Sequence, residues 1–308
     1  MEQEVLFHVS PSFADAFSCK AGECRHSCCK GWEIDIDEVS LSRYRQLSGA
    51  WRERMNAAIC EDETGAHFIL TEEDACPFLR QDGLCDLILA FGEDALCDIC
   101  ALHPRFYELI GPFELAGLGL SCEAVCELLL SGEGELLFSC EETGETFSLS
   151  VLLSRLGFLP EDASLSFAPA RDLAAMLTRL EGTEAIDALW PLEMARIRRD
   201  LAAHPVSLSA SPRYDRIFSY LLYRVLEEIP RWGLAVVQAY ACDAVSFIAL
   251  QDALYGEEAE TLRRWSEQIE YCPEKAACWY FPVQQHCDDH GVDNTADYRK
   301  TCIFQRCQ

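Results

Sequence analysis

Cysteine is the residue that most constrains what this chain can fold into. The 308-residue sequence contains 18 cysteines, and those in the first half are grouped in short runs. The adjacent pair Cys28-Cys29 is typical of disulfide frameworks and metal sites. The runs are Cys19-x4-Cys24-x3-Cys28-Cys29, then Cys76-Pro77, Cys85 and Cys97-x2-Cys100, then Cys122 and Cys126.

The first question is whether these cysteines form disulfides or bind metal. Residues 1–17 carry Glu2, Glu4 and Asp15 and lack the basic and apolar regions of a signal peptide. No stretch approaches the roughly 20 apolar residues of a membrane span. Half of the residues are hydrophobic, so a large core can form without covalent crosslinks. The sequence therefore predicts a soluble cytoplasmic protein with reduced thiols, which favours metal ligands or catalytic groups; a disulfide-stabilised secreted protein is the alternative.

The net charge of −27 restricts the partners of the protein. Residues 61–150 contain 20 Asp or Glu against two basic residues, Arg80 and Arg105. The negative electrostatic potential of these residues repels nucleic acid and anionic lipid, and it attracts cationic surfaces such as those of lysine-rich proteins. A solubilising surface explains most acidic proteins equally well. We therefore expect no nucleic-acid or membrane partner.

The hydrophobic pattern predicts an α+β fold that is predominantly helical. A cysteine-rich metal-binding unit with short strands is expected over 1–135, a mainly helical unit over 136–270 and a cysteine-rich tail over 271–308. The expected strands are 32–37, 67–70, a hairpin of 105–110 with 114–121 around Gly111-Pro112, and 146–152. Asp37 is expected to cap one helix, and the others are expected at 122–130, 170–181, 186–203, 213–228, 233–254 and 257–270.

Thiolates are soft ligands that select zinc, copper(I) or iron–sulfur clusters. The spacing does not match the radical-SAM motif, Cys-x3-Cys-x2-Cys, because Gly31 occupies the third position. It does not match the plant-type ferredoxin motif either, because Ser27 stands where a cysteine is needed. A structural zinc site without a catalytic role is therefore an open alternative. The C-terminal segment contains a further cysteine cluster, which fits a second metal site and a loosely ordered tail with reactive thiols equally well. Its members are Cys272, Cys278, Cys287, Cys302 and Cys307, with His286 and His290 between them.

Several ordered blocks resemble the flagellin lysine-N-methylase family, within a broader cysteine-cluster superfamily that has a zinc- or iron-chelating CxxCxxCC domain. A later segment, Tyr214-x5-Tyr220-x2-Tyr223-Arg224, is similar to a Tyr/Phe-rich helix of the methylases. The resemblance covers roughly residues 8–130 and, more weakly, 210–230. The blocks are Phe17-Ser18-Cys19, Cys24-Arg25-His26-Ser27-Cys28-Cys29-Lys30-Gly31-Trp32, Cys76-Pro77-Phe78-Leu79, Asp82-Gly83-Leu84-Cys85, Leu96-Cys97-Asp98-Ile99-Cys100, His103-Pro104-Arg105 and Leu120-Ser121-Cys122-Glu123.

The resemblance implies a protein-lysine N-methyltransferase that transfers methyl groups from S-adenosylmethionine (SAM) to flagellin or another lysine-bearing protein. No Gly-x-Gly-x-x-Gly follows a strand, so we expect no doubly wound cofactor domain. Trp32 and Tyr220 are candidates for cation–π contact with the sulfonium, and Arg224 for the cofactor carboxylate. No catalytic residue is assigned, and a non-catalytic metal-chelating or metal-sensing protein is the alternative function.

The resemblance is compatible with an iron–sulfur cluster or with zinc. We favour 4Fe–4S, because the sulfur-rich runs have no interleaved histidine ligands. Cys60, Cys140 and Cys242 lie in apolar contexts and are expected to be small core residues. The predicted pool of metal ligands is Cys24, Cys28, Cys29, Cys76, Cys85, Cys97, Cys100 and Cys122.

Overall fold

The computed structural model describes residues 6–63, 65–158, 164–167 and 170–270. The chain divides into two compact units. The smaller unit comprises Ser18–Phe106 and Cys122–Ala124, and the larger unit contains the described residues outside those ranges. The boundaries expected at residues 135 and 270 stay predictions; the smaller unit lies within the first of the expected segments.

The strands are short, and they form two sheets. In the larger unit the order is β5-β6-β1-β7-β8, with β1 parallel to β6 and antiparallel to β7. In the smaller unit the order is β2-β4-β3, all antiparallel. The strands are β1 (Phe7–Pro11), β2 (Asp35–Ile36), β3 (Ile59–Glu61), β4 (Ala66–Phe68), β5 (Arg105–Ile110), β6 (Phe113–Leu118), β7 (Leu137–Cys140) and β8 (Thr146–Ser148).

Helices make up most of the remaining structure, and the expectation of a predominantly helical α+β protein is confirmed. They are α1 (Glu38–Arg45), α2 (Gly49–Ala58), α3 (Asp86–Phe91), α4 (Asp98–Leu102), α5 (Glu123–Ser131), α6 (Leu149–Arg155), α7 (Ala170–Glu181), α8 (Trp190–Ala203), α9 (Pro212–Arg224), α10 (Ile229–Trp232), α11 (Leu234–Tyr255) and α12 (Glu258–Trp265). A π-helical segment, Ser266–Glu270, extends α12.

The core of the larger unit is centred on α11, which contacts α7, α8, α9 and α12. Its Phe247 lies between the rings of Trp190 and Trp265, with ring centroids 6.0 and 5.5 Å away. The helix ends at Gly256, whose left-handed backbone (φ +71°) suits a residue without a Cβ. Because other helices pack around most of α11, its apolar residues are spread around the helix and do not form a single stripe.

This helix corrects the expectation that no segment is apolar enough to span a membrane. By length and composition, the 22 residues of α11 could cross a bilayer. Most of its apolar stretch is nevertheless buried inside the fold. Length and composition do not distinguish a central core helix from a membrane helix, because both are surrounded by apolar groups.

Most predicted elements are confirmed, including the hairpin of β5 and β6, α5 and the later helices. Two strands differ most from the expectation. Residues 32–37 keep the alternation, with Ile34 and Ile36 buried, but only Asp35–Ile36 are ladder-bonded. The strand predicted at 146–152 ends at Ser148, where α6 begins, because Leu149, Leu152 and Leu153 bury one helical face.

Candidate metal centre

The smaller unit has its own core, on which a group of cysteines packs. Ile34, Met55, Phe68 and Phe78 are each no more than 2% exposed. The rings of Phe68 and Phe78 meet edge to face, with centroids 5.2 Å apart. Two cysteines are themselves buried in this core and three are half-buried against it; we call these five the inner cysteine group: Cys29, Cys76, Cys85, Cys97 and Cys100.

Backbone pairing brings the first two cysteine runs together in this group. The Cys76 amide donates to the Cys29 carbonyl at 2.8 Å, and Lys30 and Ala75 form an antiparallel bridge. A second bridge, between Leu79 and Cys85, folds the chain back on itself. Three cysteines separated by up to 56 positions in sequence therefore lie on neighbouring backbone segments.

Helix α4 supplies the remaining two members of the inner group. Cys97 stands at the N-cap and Cys100 follows in the first turn, with its amide donating to the Cys97 carbonyl at 3.0 Å. The start of α4 is held by Asp37, whose Oδ2 accepts from the Asp98 amide at 2.9 Å. Oδ1 of the same carboxylate caps α1 by accepting from the Ser40 amide at 2.7 Å. Burial raises the pKa of Asp37, but these amide hydrogen bonds outweigh it and lower the pKa to about 2.

A second set of thiols, the outer cysteine group, is linked by electrostatic interactions among its members and consists of Cys19, Cys24, Cys28 and Cys122. Glu123 interacts with one of them, Cys24. Glu123 is only 4% exposed and accepts hydrogen bonds from Lys20 Nζ at 2.7 Å, the Arg25 amide at 2.9 Å and the His26 amide at 3.3 Å. These bonds fix the loop that carries Cys24. Burial, followed by the negative potentials of Glu123 and Cys122, raises the pKa of Cys24 to about 11.

The adjacent cysteines Cys28 and Cys29 connect the two groups. Their thiols are hydrogen-bonded, which raises the pKa of Cys28. The same bond, together with a hydrogen bond from Ser27, outweighs burial and lowers the pKa of Cys29 to about 7. Cys19 and Cys122 also raise the pKa of Cys28, whereas Cys29 raises those of Cys76 and Cys85. Cys28 therefore interacts with the thiols of the outer group, and Cys29 with those of the inner group.

A similar thiol pair occurs in α4. A hydrogen bond with Cys100 lowers the pKa of Cys97, and the same bond raises the pKa of Cys100. The inner group therefore contains two cysteines, Cys29 and Cys97, that ionise more readily than an ordinary thiol. Thiolates are the ligating form of cysteine, so the lowered pKa values of these two thiols are in the direction that metal ligation requires.

The donor set fits a sulfur-ligated metal group. A single tetrahedral zinc ion, with Zn–S bonds near 2.3 Å, holds its sulfurs about 3.8 Å apart. Among the described residues, no three cysteine sulfurs lie within 4.8 Å of one another. In a four-iron cluster each thiolate binds a different iron, so the sulfurs stand further apart. All-thiolate donors fit both kinds of metal group, and the identity of the metal stays a prediction.

The eight predicted metal ligands all lie in the smaller unit, and the structure brings them together as the two groups. Cys19, which was left out of the predicted pool, lies with the outer group and raises the pKa of Cys28. Its membership of the first cysteine run was the signal that could have included it. Which of these cysteines ligate a metal stays a prediction.

The three residues predicted to bind the cofactor have partners inside the fold. Trp32 donates its indole N–H to the Cys28 carbonyl at 2.7 Å. The buried Tyr220 hydroxyl donates to the Leu118 carbonyl at 2.6 Å and accepts from the Leu118 amide at 2.8 Å. Arg224 lies 3.1 Å from the Glu270 carboxylate. Tyr220 and Arg224 therefore do not form a free cofactor site in this conformation, and their cofactor role stays a prediction.

Of the cysteines expected in the core, Cys140 and Cys242 are buried, 2% and 8% exposed. The expectation for Cys60 is wrong: it is half-buried and lies beside Asp62 and His67. Its apolar neighbour Ile59 points to the other face of the strand and does not enclose it. The cysteine cluster of residues 272–307 lies outside the described residues.

Comparison with known proteins identifies similar sequences over part of the chain. It is 27% identical over 145 residues to a lysine-N-methylase of Salmonella typhimurium and, at the same level, to one of Salmonella choleraesuis. It is 26% identical over 129 residues to the flagellar biosynthetic protein FliU of Salmonella muenchen. These matches cover 42%, 42% and 40% of this chain and 34%, 34% and 76% of the respective relatives.

The chain thus spans about a third of the length of the lysine-N-methylases it matches. No family model matches the sequence. No solved structure matches it either.

Proposed function

We propose that this protein methylates lysine side chains on flagellin, with SAM as the methyl donor and a cysteine-ligated iron–sulfur cluster or zinc as a resident metal group. The observation that carries the reaction is the similarity to lysine-N-methylases and to a flagellar biosynthetic protein. The convergence of nine cysteines in the smaller unit supports the metal group. A cytoplasmic location follows from the same proposal, because thiolate ligation needs reduced cysteines.

The inner cysteine group is the candidate set for the metal group. Cys29 and Cys97 ionise readily, and packing on the core fixes the backbone that carries them. A bound iron–sulfur cluster would crosslink the chain segments that carry its cysteine ligands. An iron atom with an open coordination position would also supply a binding site for amino and carboxyl groups. Asp37 and the backbone pairing of Cys29 with Cys76 hold the segments that carry these ligands.

Methylation also makes demands on the protein surface. A lysine ammonium has no lone pair, so the incoming lysine must lose its proton before it attacks a methyl group; desolvation lowers its pKa and promotes that loss. The acidic character of residues 61–150 attracts a lysine-bearing substrate. We assign no contact to SAM, because Tyr220 and Arg224 already have structural partners.

The test is transfer of labelled methyl groups from SAM to purified flagellin by protein that was prepared without oxygen and assayed for iron and zinc. We expect label on flagellin lysines, located by peptide mass spectrometry. Flagellin with acetylated lysines is the matched control and should accept no label. Metal-replete protein that transfers no label to unmodified flagellin would contradict the proposal.

A metal-chelating or metal-sensing protein without catalysis is the second candidate. It is favoured by the limited match, which spans only 34% of the lysine-N-methylases, and by the structural use of Tyr220 and Arg224. Stoichiometric metal together with no methyl transfer would support it. Methyl transfer to flagellin would exclude it.

A further inference from the structure

A second group of metal-ligating side chains lies on the β3–β4 hairpin, outside both cysteine groups. One ligand atom each from Cys60, Asp62 and His67 lies within 4.8 Å of the other two. The register explains this arrangement. Cys60 and His67 are directly opposite each other across the antiparallel pair, so their side chains point to the same face. Asp62 is two positions beyond Cys60 and therefore lies on the same side of the chain.

This face is the outer side of the three-stranded sheet. Ala66 and Phe68, which flank His67 in β4, point the other way and are buried in the core. Cys60 and His67 are half-buried, and within the described residues neither side chain has a hydrogen bond or ion pair. On the other side of β4, Asp35 pairs with His67 and places a further carboxylate on this face. The imidazole is thus flanked by a thiol and two carboxylates.

The chemistry of the three donors selects a particular class of ion. One thiolate, one imidazole and one carboxylate form a mixed sulfur, nitrogen and oxygen set, which suits borderline divalent ions and above all Zn²⁺. Magnesium and calcium prefer all-oxygen sites, and copper(I) prefers sulfur. Three protein ligands leave the fourth tetrahedral position for water or another ligand.

We propose that Cys60, Asp62 and His67 form a binding site for a single Zn²⁺ ion, separate from the metal group of the cysteine groups. The proposal does not rest on the proposed methyltransferase function. The ion would tie β3 to β4 beside the turn of their hairpin, where the Asp62 amide already donates to the Gly65 carbonyl at 3.0 Å. The site has an exposed member, Asp62, so the metal is reachable from solvent.

The test must separate this site from the many other thiols, and alkylation of Cys60 does so. Full-length protein with its cysteine groups loaded with metal is treated with iodoacetamide in the absence and presence of a small excess of Zn²⁺. The modification rate of Cys60 is read from its own peptide by mass spectrometry. Because a coordinated thiolate is a poor nucleophile, we expect Zn²⁺ to slow the alkylation of Cys60 by about tenfold or more.

Variants then identify the other ligands. His67→Asn and Asp62→Asn should each abolish the protection of Cys60 by Zn²⁺, and each should lower bound zinc by about one equivalent per chain. Glu61→Gln is the matched control, because Glu61 lies between two of the ligands but pairs with Arg45 at 2.6 Å. It should keep both the protection and the zinc.

Equal alkylation rates of Cys60 with and without Zn²⁺ in the unmodified protein would overturn the proposal. So would protection that survives in both His67→Asn and Asp62→Asn. The two variants are independent, so if circular dichroism shows that one of them does not fold, the other decides.

Discussion

Asp37 holds the starts of two helices with a single side chain. Its two carboxylate oxygens accept from the Ser40 amide in α1 and the Asp98 amide in α4. The first cap could be predicted, because Asp37 directly precedes a helical pattern. The second could not, because Asp98 lies 61 residues further along the chain and only the tertiary fold brings it near.

We predict that Asp37→Ala lowers the free energy of unfolding by about 2 kcal/mol, because two helices lose a cap worth about 1 kcal/mol each. Urea denaturation followed by circular dichroism measures the loss. Glu38→Ala is the control: it removes a negative charge from the same helix start without removing a cap, and it should cost under about 0.5 kcal/mol. Equal losses in the two variants would show that the shared cap contributes nothing.

Glu258 is a residue whose burial makes stability depend on pH. It is 4% exposed and pairs with Arg213, but burial outweighs that ion pair and raises its pKa from 4.5 to about 7. The folded state therefore holds this proton more tightly than the unfolded state. Its contribution to the free energy of unfolding is largest below pH 4.5 and is lost as the pH rises to about 7.

We predict that Glu258→Gln makes the free energy of unfolding less dependent on pH between pH 4.5 and 7. One proton contributes at most about 1.4 kcal/mol per pH unit to that slope. Urea titrations at several pH values measure the slope in each protein. The matched control is Glu257→Gln, at an exposed neighbouring position. A Glu258→Gln slope equal to that of the unmodified protein would be evidence against a raised pKa of Glu258.

At the scale of elements, α9 shows why a tyrosine-rich helix occurs in this fold. Tyr220 binds the backbone of Leu118 at the end of β6. The Tyr223 hydroxyl lies 2.7 Å from the Val9 carbonyl and 2.8 Å from the Ala116 carbonyl, so it bridges the parallel strands β1 and β6. The tyrosines thus attach the helix to the sheet through hydrogen bonds that leucine could not make.

We predict that Tyr223→Phe lowers the free energy of unfolding by about 1–2 kcal/mol, because the hydroxyl proton is lost from between two buried carbonyls. Tyr107→Phe is the matched control, since Tyr107 is 52% exposed, and it should stay within about 0.5 kcal/mol of the unmodified protein. Urea denaturation measures both. A Tyr223→Phe variant as stable as its control would contradict the bridging role.

The same reasoning explains which elements could be predicted from the sequence. The later helices follow from apolar residues repeating about every 3.6 positions, and the hairpin of β5 and β6 follows from its central Gly111-Pro112. The sheet order could not be predicted, because β1 pairs with β6 more than 100 residues later, and pattern alone does not identify partners at that distance. The start of α6 was misread because a short apolar segment fits a strand and a helix equally well.

At the scale of the whole molecule, the cysteine motifs predicted where the candidate site lies but not how it is divided. All eight predicted ligands lie in one unit, and which of them ligate a metal stays a prediction. The separation into inner and outer groups depends on the fold of the chain around Cys28 and Cys29. The Cys60 group was missed because its members are related by strand pairing rather than by a cysteine motif.

This division predicts different effects for the two adjacent cysteines. If the inner group holds the metal, Cys29→Ser should lower bound iron or zinc by at least half, whereas Cys28→Ser should have a smaller effect. Replacing both should abolish metal binding by the cysteine groups. Elemental analysis of anaerobically purified protein measures each case, and Cys242→Ala, in the larger unit, should retain the full metal content. Full metal content in the double variant would show that the ligands lie elsewhere.

The position of β1 at the centre of the five-stranded sheet has a consequence for synthesis. Residues 7–11 are translated before both partner strands, β6 and β7, which follow more than 100 residues later in the chain. The nascent chain must therefore carry an unpaired apolar strand while the cysteine runs are being made, and such a segment invites chaperone binding. The inner cysteine group is complete at Cys100, before either partner strand is translated, so the segments that carry it can fold before this sheet closes.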